Sequence, residues 1–232
     1  MHPFLPFTMG DKIETNAYLY PNQTAYVYTP PDGKGEKRAT FSEYLARCRK
    51  LASAWHKLGV KRQDRIAILS QNNMEYVEVY GAGELAGYIT ATVNWRLAAP
   101  EFEYIINDAS PKVLVFEDAY TAVIDSLRPK LKGIQKYVCI GDAPSWADPY
   151  EQVLASGDAG GPPVRSREED IAWLIYTSGT TGRPKGCIMG QREATQLAAS
   201  VSPSQHSTPG DRCLLMMPFF HIGAKCIQIS QH

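Results

Sequence analysis

The sequence lacks most of the features that would assign it to a special class. Its 24 basic and 24 acidic side chains cancel, leaving no net charge. A broad electrostatic grip on nucleic acid or on an anionic membrane is therefore not expected. No apolar run reaches the roughly 20 residues that a membrane-spanning helix needs. The start, MHPFLPFTMG, has no basic stretch and is interrupted by Pro3 and Pro6, so it does not resemble a secretory leader. Cysteine is scarce and odd in number: Cys48, Cys139, Cys187, Cys213 and Cys226 form no C-x-x-C pair. This argues against a disulfide framework or zinc site and for reduced, mostly buried thiols in a cytoplasmic protein. Repeats and low-complexity tracts are also missing.

What remains is an ordinary globular composition, 44% hydrophobic and 21% charged over 232 residues. Such a chain can bury roughly 70% of its unfolded surface. Ala25 to Thr29 and Lys37 to Thr40 flank the turn-rich PPDGKG, which predicts a hairpin. Thr40 and Glu43 form a T-x-x-E capping box, and apolar residues from Phe41 to Leu58, Trp55 among them, recur at helical spacing up to Gly59. Strands are expected at Ile66 to Leu69, Ile89 to Val93, Val113 to Phe116 and Tyr137 to Ile140. Helices between them are expected near Met74 to Ala86, Pro100 to Asn107 and Ala119 to Leu127. Strands alternating with helices of this length predict an α/β fold, a doubly wound, mainly parallel sheet with helices on both faces. ASGDAGGPP, starting at Ala155, reads as a subdomain linker within 155–166. Beyond it a strand Ile171 to Tyr176, a helix from Gln191, a strand Cys213 to Met217 and a helix after Gly223 are expected.

The chemistry lies in Ile175 to Gly186, IYTSGTTGRPKG. Gly179 and Gly182 permit close backbone approach, and Thr177, Ser178, Thr180 and Thr181 add hydroxyl donors. Arg183 and Lys185 bring positive charge, with Pro184 stiffening the exit, so the loop suits a polyphosphate. It is not the G-x-x-x-x-G-K-[ST] loop, because Pro184 precedes Lys185 and Gly186 follows it. On composition alone an ordinary surface turn remains open. Gly81, Gly83 and Gly87 (GAGELAG) have the wrong spacing and context for a dinucleotide fingerprint. Tyr176 stands where a G-x-S-x-G hydrolase elbow needs glycine.

The full string resembles the phosphate-binding signature of the adenylate-forming superfamily, which includes acyl-CoA synthetases, firefly luciferase and adenylation domains of peptide synthetases. Gly59 to Leu97 resembles that family's early strand-helix-strand block, and MMPFFHIGA, Met216 to Ala224, its later histidine-bearing segment. The resemblance runs from about Phe41 to the last residue. It implies a ligase using ATP, Mg²⁺ and coenzyme A, in which a carboxylic acid becomes an acyl-adenylate and then a thioester. It also implies phosphate contacts from Thr177, Ser178, Gly179, Thr180, Thr181, Gly182 and Lys185, and an acyl-pocket role for His221. The family carries further motifs and a small C-terminal domain beyond the matching region, so residues 1–232 are expected to form an incomplete N-terminal AMP-binding domain without turnover of their own. Gln191 stands where many acyl-CoA synthetases have histidine. Two other readings stay open: a non-catalytic module that binds or self-associates through an uncovered apolar face, and a phosphatase or NTPase using the same loop.

Overall fold

The computed structural model of the protein describes residues 7–31, 33, 35–177, 182–208 and 210–230. The first helix, α1 (Met9–Leu19), is one that the hydrophobic pattern does not announce. Its start is nevertheless written in the sequence: Thr8 Oγ1 accepts from Asp11 N at 3.1 Å, and the Asp11 carboxylate accepts from Thr8 N at 2.8 Å. The strands β1 (Thr24–Tyr28) and β2 (Lys37–Thr40) pair antiparallel as expected. Thr40 and Glu43 cap α2 (Phe41–Lys57) reciprocally, and Gly59 leaves the helix end at φ +85°.

The α/β succession follows as β3 (Arg65–Leu69), α3 (Met74–Ala86), β4 (Ile89–Thr92), α4 (Ala99–Ala109), β5 (Val113–Glu117), α5 (Thr121–Leu127) and β6 (Lys136–Ile140). A two-residue strand β7 (Asp148–Pro149) and a short helix α6 (Tyr150–Ala155) come next, neither visible in the periodicity. Residues 156–170 have no regular structure but are tied back by Ser166 N to Leu85 O at 2.9 Å and Asp158 N to Ser53 Oγ at 3.1 Å. Then come β8 (Ile171–Thr177), β9 (Lys185–Gly190), α7 (Gln191–Ser204) and α8 (Ile222–Ser230). Among the described residues the main sheet has the order β7-β6-β5-β3-β4-β8-β9, parallel except for β9.

After β3 the chain crosses to one side to form β4, then returns past β3 to form β5. With right-handed crossovers this reversal puts α3 and α4 on opposite faces. Strand alternation matches: Ile66, Ile68, Val113, Val115 and Val138 pack towards α2 and α3, whereas Ala67, Leu69, Leu114, Phe116 and Cys139 pack towards α4 and α5. Trp55 is fully buried on the α2 side.

The helix α3 is buried on every side, although it carries three glutamates. Each meets a cation: Glu75 with Lys37 at 2.9 Å, Glu78 with Arg47 at 2.5 Å, and Glu84 with Lys225 at 2.6 Å. Its glycines serve packing. A Cβ on Gly81 would lie 2.4 Å from the Tyr44 hydroxyl and 2.5 Å from Cys48 Sγ, so only glycine lets α2 and α3 approach this closely.

Two expectations need correction. The predicted strand Cys213 to Met217 joins no sheet, and Leu214 and Met216 are 80% and 82% exposed. Nor are the thiols mostly buried. Cys48 and Cys139 are buried and Cys226 is partly so, but Cys187 and Cys213 are exposed, because β9 lies at the sheet edge and the 211–217 segment packs on no strand; all five are free. No helix of the described residues is long and apolar enough to cross a membrane.

Candidate functional site

The glycine- and hydroxyl-rich motif is carried by a hairpin. Strand β8 runs parallel to β4 through the sheet, and the chain returns as β9 antiparallel to it, with Tyr176 opposite Gly186 and Thr177 opposite Lys185. Thr177 and Lys185 are therefore the last ladder pair before the connection, one bearing a hydroxyl and the other an ammonium; Thr177 Oγ1 lies 4.0 Å from Cys187 Sγ. Both are exposed, and Lys185 makes no ion pair among the described residues. Gly182 has φ +147° with open space around its α-carbon, a backbone state natural to glycine. Ser178, Gly179, Thr180 and Thr181 lie outside the described residues.

Helix α4 holds both arms of this hairpin. The Tyr176 hydroxyl donates to Asp108 Oδ2 at 2.6 Å. Partial burial and then the Asp108 carboxylate raise the phenol above its ordinary value, which keeps it a donor. On the returning arm the Arg183 guanidinium stands 5.3 Å from the centre of the Tyr104 ring.

His221 reaches the same edge of the sheet by a different route. Its segment is fastened by Asn72, whose side chain donates to Met217 O and accepts from Phe219 N, both at 2.8 Å. Tyr80 Oη donates to Phe219 O at 2.8 Å, and Thr92 Oγ1 to Phe220 O at 3.2 Å. Thr92 ends β4 and Thr177 ends the neighbouring β8, so His221 and the hairpin mouth share the carboxyl edge, where open α/β sheets bind ligands. His221 is exposed, and its Nδ1 accepts from Gly223 N at 3.1 Å. A neutral imidazole so held keeps its proton on Nε2. Gln191 lies away from this edge, fully buried, and accepts from Met9 N at 3.0 Å to tie α1 to α7.

The structure thus brings Thr177, Gly182, Lys185 and His221 to one side of the sheet. Among the described residues no group of three or more His, Cys, Asp or Glu side chains is placed to hold a metal ion. Sequence reasoning missed Tyr104, Asp108 and Asn72, which act at long sequence separation. The i,i+4 spacing of Tyr104 and Asp108 was the available signal, though it did not reveal which strand they face.

The fold of this chain is similar to that of solved structures described as CoA ligases. The model of the AMP-binding enzyme family matches residues 13–229, and the chain belongs to that family. It is 34% identical over 193 residues to a long-chain-fatty-acid–CoA ligase of Thermus thermophilus, covering 82% of this chain and 35% of that protein. It is 32% identical over 219 residues to the long-chain-fatty-acid–CoA ligase FadD13 of Mycobacterium tuberculosis, covering 93% and 41%. Among solved structures, the N-terminal domain of FACL13 from M. tuberculosis superposes with a TM-score of 0.80 at 28% identity, covering 97% of this chain and 54% of that one. A long-chain-fatty-acid–CoA ligase from Archaeoglobus fulgidus shares the fold with a TM-score of 0.87 at 23% identity, covering 98% and 45%. The chain spans about two fifths of the length of the curated relatives it matches.

Proposed function

We propose that this chain is the nucleotide-phosphate-binding part of an ATP-dependent acid:coenzyme A ligase. In that reaction a carboxylate oxygen attacks the α-phosphorus of ATP, pyrophosphate leaves, and the thiol of coenzyme A then displaces AMP from the acyl-adenylate. The hairpin's task is to hold and neutralise the departing pyrophosphate, through Lys185, the hydroxyls of Thr177, Ser178, Thr180 and Thr181, and the backbone at Gly179 and Gly182. His221, with Nε2–H free to donate, lines the acyl side. Among the described residues no cluster of three or more carboxylates, imidazoles or thiols forms a dedicated metal cage, so Mg²⁺ would enter on the ATP phosphates as part of the substrate. Free thiols and the use of ATP and coenzyme A suit the cytoplasm.

The observation that carries this reading is the Thr177–Lys185 pair at the mouth of the hairpin, on the same carboxyl edge as His221. Titration of pyrophosphate into the purified chain, and into Lys185→Ala, tests it. Loss of one charge-assisted contact should weaken binding roughly ten- to a hundredfold. Equal affinity of the two proteins, or no binding by the unaltered chain, would count against the reading. The exposed Ile188, Leu214 and Met216 favour a second one, in which the chain also self-associates. Sedimentation velocity over a range of concentrations checks it, and a monomer throughout would remove it.

A further inference from the structure

We propose that Tyr104 and Asp108 of α4 are positioning residues for the nucleotide-binding hairpin, acting as a two-point clamp on its outgoing and returning arms; this rests on the reading of the hairpin given above. The two residues are four apart on α4 and so lie on one face of it. One contact falls on each arm. Asp108 receives the Tyr176 hydroxyl one residue before the last ladder pair, and Tyr104 stacks under Arg183 two residues before that pair's partner, Lys185. The ladder fixes the spacing between Thr177 and Lys185, but β9 is an edge strand bonded on one side, so contacts to α4 set where that pair stands relative to the rest of the sheet.

Gly186 belongs to the same device. A Cβ there would lie 3.2 Å from Tyr176 Cζ and 2.8 Å from Leu174 Cδ1, so the Tyr176 ring lies across the Gly186 backbone. A side chain at this position would push the ring off the line that takes its hydroxyl to Asp108. The clamp also divides the two cations of the motif. Arg183 is turned to the Tyr104 ring, while Lys185, unpaired among the described residues, remains to meet the phosphates. Arg183, which by sequence looks like a second phosphate ligand, is here a structural cation.

The test compares the unaltered chain with Asp108→Asn, Tyr104→Leu, Tyr176→Phe and Gly186→Ala. Amide hydrogen exchange is followed at Lys185 to Gly190, and pyrophosphate is titrated into each protein. Exchange along β9 is expected to rise several-fold in each variant while amides of β3, β4 and β5 stay unchanged, since only a local opening is made easier. Pyrophosphate affinity is expected to fall about five- to tenfold, the equivalent of one ordinary hydrogen bond. Tyr176→Phe combined with Asp108→Asn should be no worse than either alone, because both remove the same contact. A merely structural role would instead raise exchange throughout the sheet. Unchanged β9 exchange in Asp108→Asn and Tyr104→Leu overturns the clamp. Raised exchange with undiminished affinity overturns its positioning role. Absence of binding by the unaltered chain overturns the phosphate reading itself, and β9 exchange then decides the clamp alone.

Discussion

Replacing Lys225 by methionine should strongly destabilise the fold. Lys225 is fully buried in the first turn of α8, with its Nζ 2.6 Å from Glu84 and 2.7 Å from Gln228 Oε1. It also stands 4.0 and 4.7 Å from the ring centres of Tyr80 and Trp173. Glu84, equally buried, would keep the Trp173 indole N–H at 3.0 Å and the more distant charge of Lys12. Methionine fills the space but takes away the carboxylate's contacting cation, and breaking a buried pair in this way typically costs about 3–5 kcal/mol. For a chain of this size the loss corresponds to a drop in Tm of roughly 10 °C. Adding Glu84→Gln removes the stranded charge and retains an acceptor for Trp173, so the double variant should recover most of the loss. Thermal and urea unfolding of the three proteins measure this, and a Lys225→Met cost below about 1 kcal/mol would refute the reasoning. The pH dependence adds a second check. Burial pushes the Lys225 amine below the ordinary 10.5, with Glu84 opposing. Between its folded value and 10.5 the unfolded chain binds more protons, so this group's contribution to stability rises with pH in that window. The rise should disappear in the variants without Lys225.

Burial alone would raise the Glu14 carboxyl, but Arg49 and Arg165 outweigh it and hold the group below the usual 4.5. The stability it contributes is complete above 4.5 and is lost as pH falls through its folded value. Acid unfolding of Glu14→Gln should therefore lack that part of the transition, and an unchanged curve would show the pairs to be idle. Maleimide labelling with mass mapping should modify Cys187 and Cys213 fast and Cys48 and Cys139 only after unfolding. Burial, then Asp118, pushes the Cys139 thiol up to about 11, so slow reaction there has both a steric and a chemical cause. Labelling of Cys139 at the rate of Cys213 would contradict the packing of β6.

The parts of the fold that were legible in the sequence are those governed by short-range rules. The T-x-x-E cap of α2, the full length of α3 and the alternation of strand and helix follow from periods and caps that involve residues a few positions apart. The motif at Ile175 to Gly186 was likewise recognisable as a contiguous string, although its residue types alone left an ordinary surface turn open. Short elements escaped: β7 has two residues, and β9 (KGCIMG) is half glycine-flanked and too brief to show a period. The unpaired 211–217 segment erred in the other direction. Its apolar run, CLLMM, has strand propensity, but propensity forms no ladder without a neighbouring edge to bond.

By itself the sequence determined the fold class and the family, because local spacing and a contiguous motif suffice for each. Only the tertiary structure decided how α3 could be buried with three glutamates, since their cations Lys37, Arg47 and Lys225 come from three separate elements. It also decided that Arg183 turns to Tyr104 while Lys185 stays open, and that Asp108 holds Tyr176. Pairings between residues 68 or 141 positions apart leave no periodic trace, because their energy depends on distance in space and not on spacing along the chain.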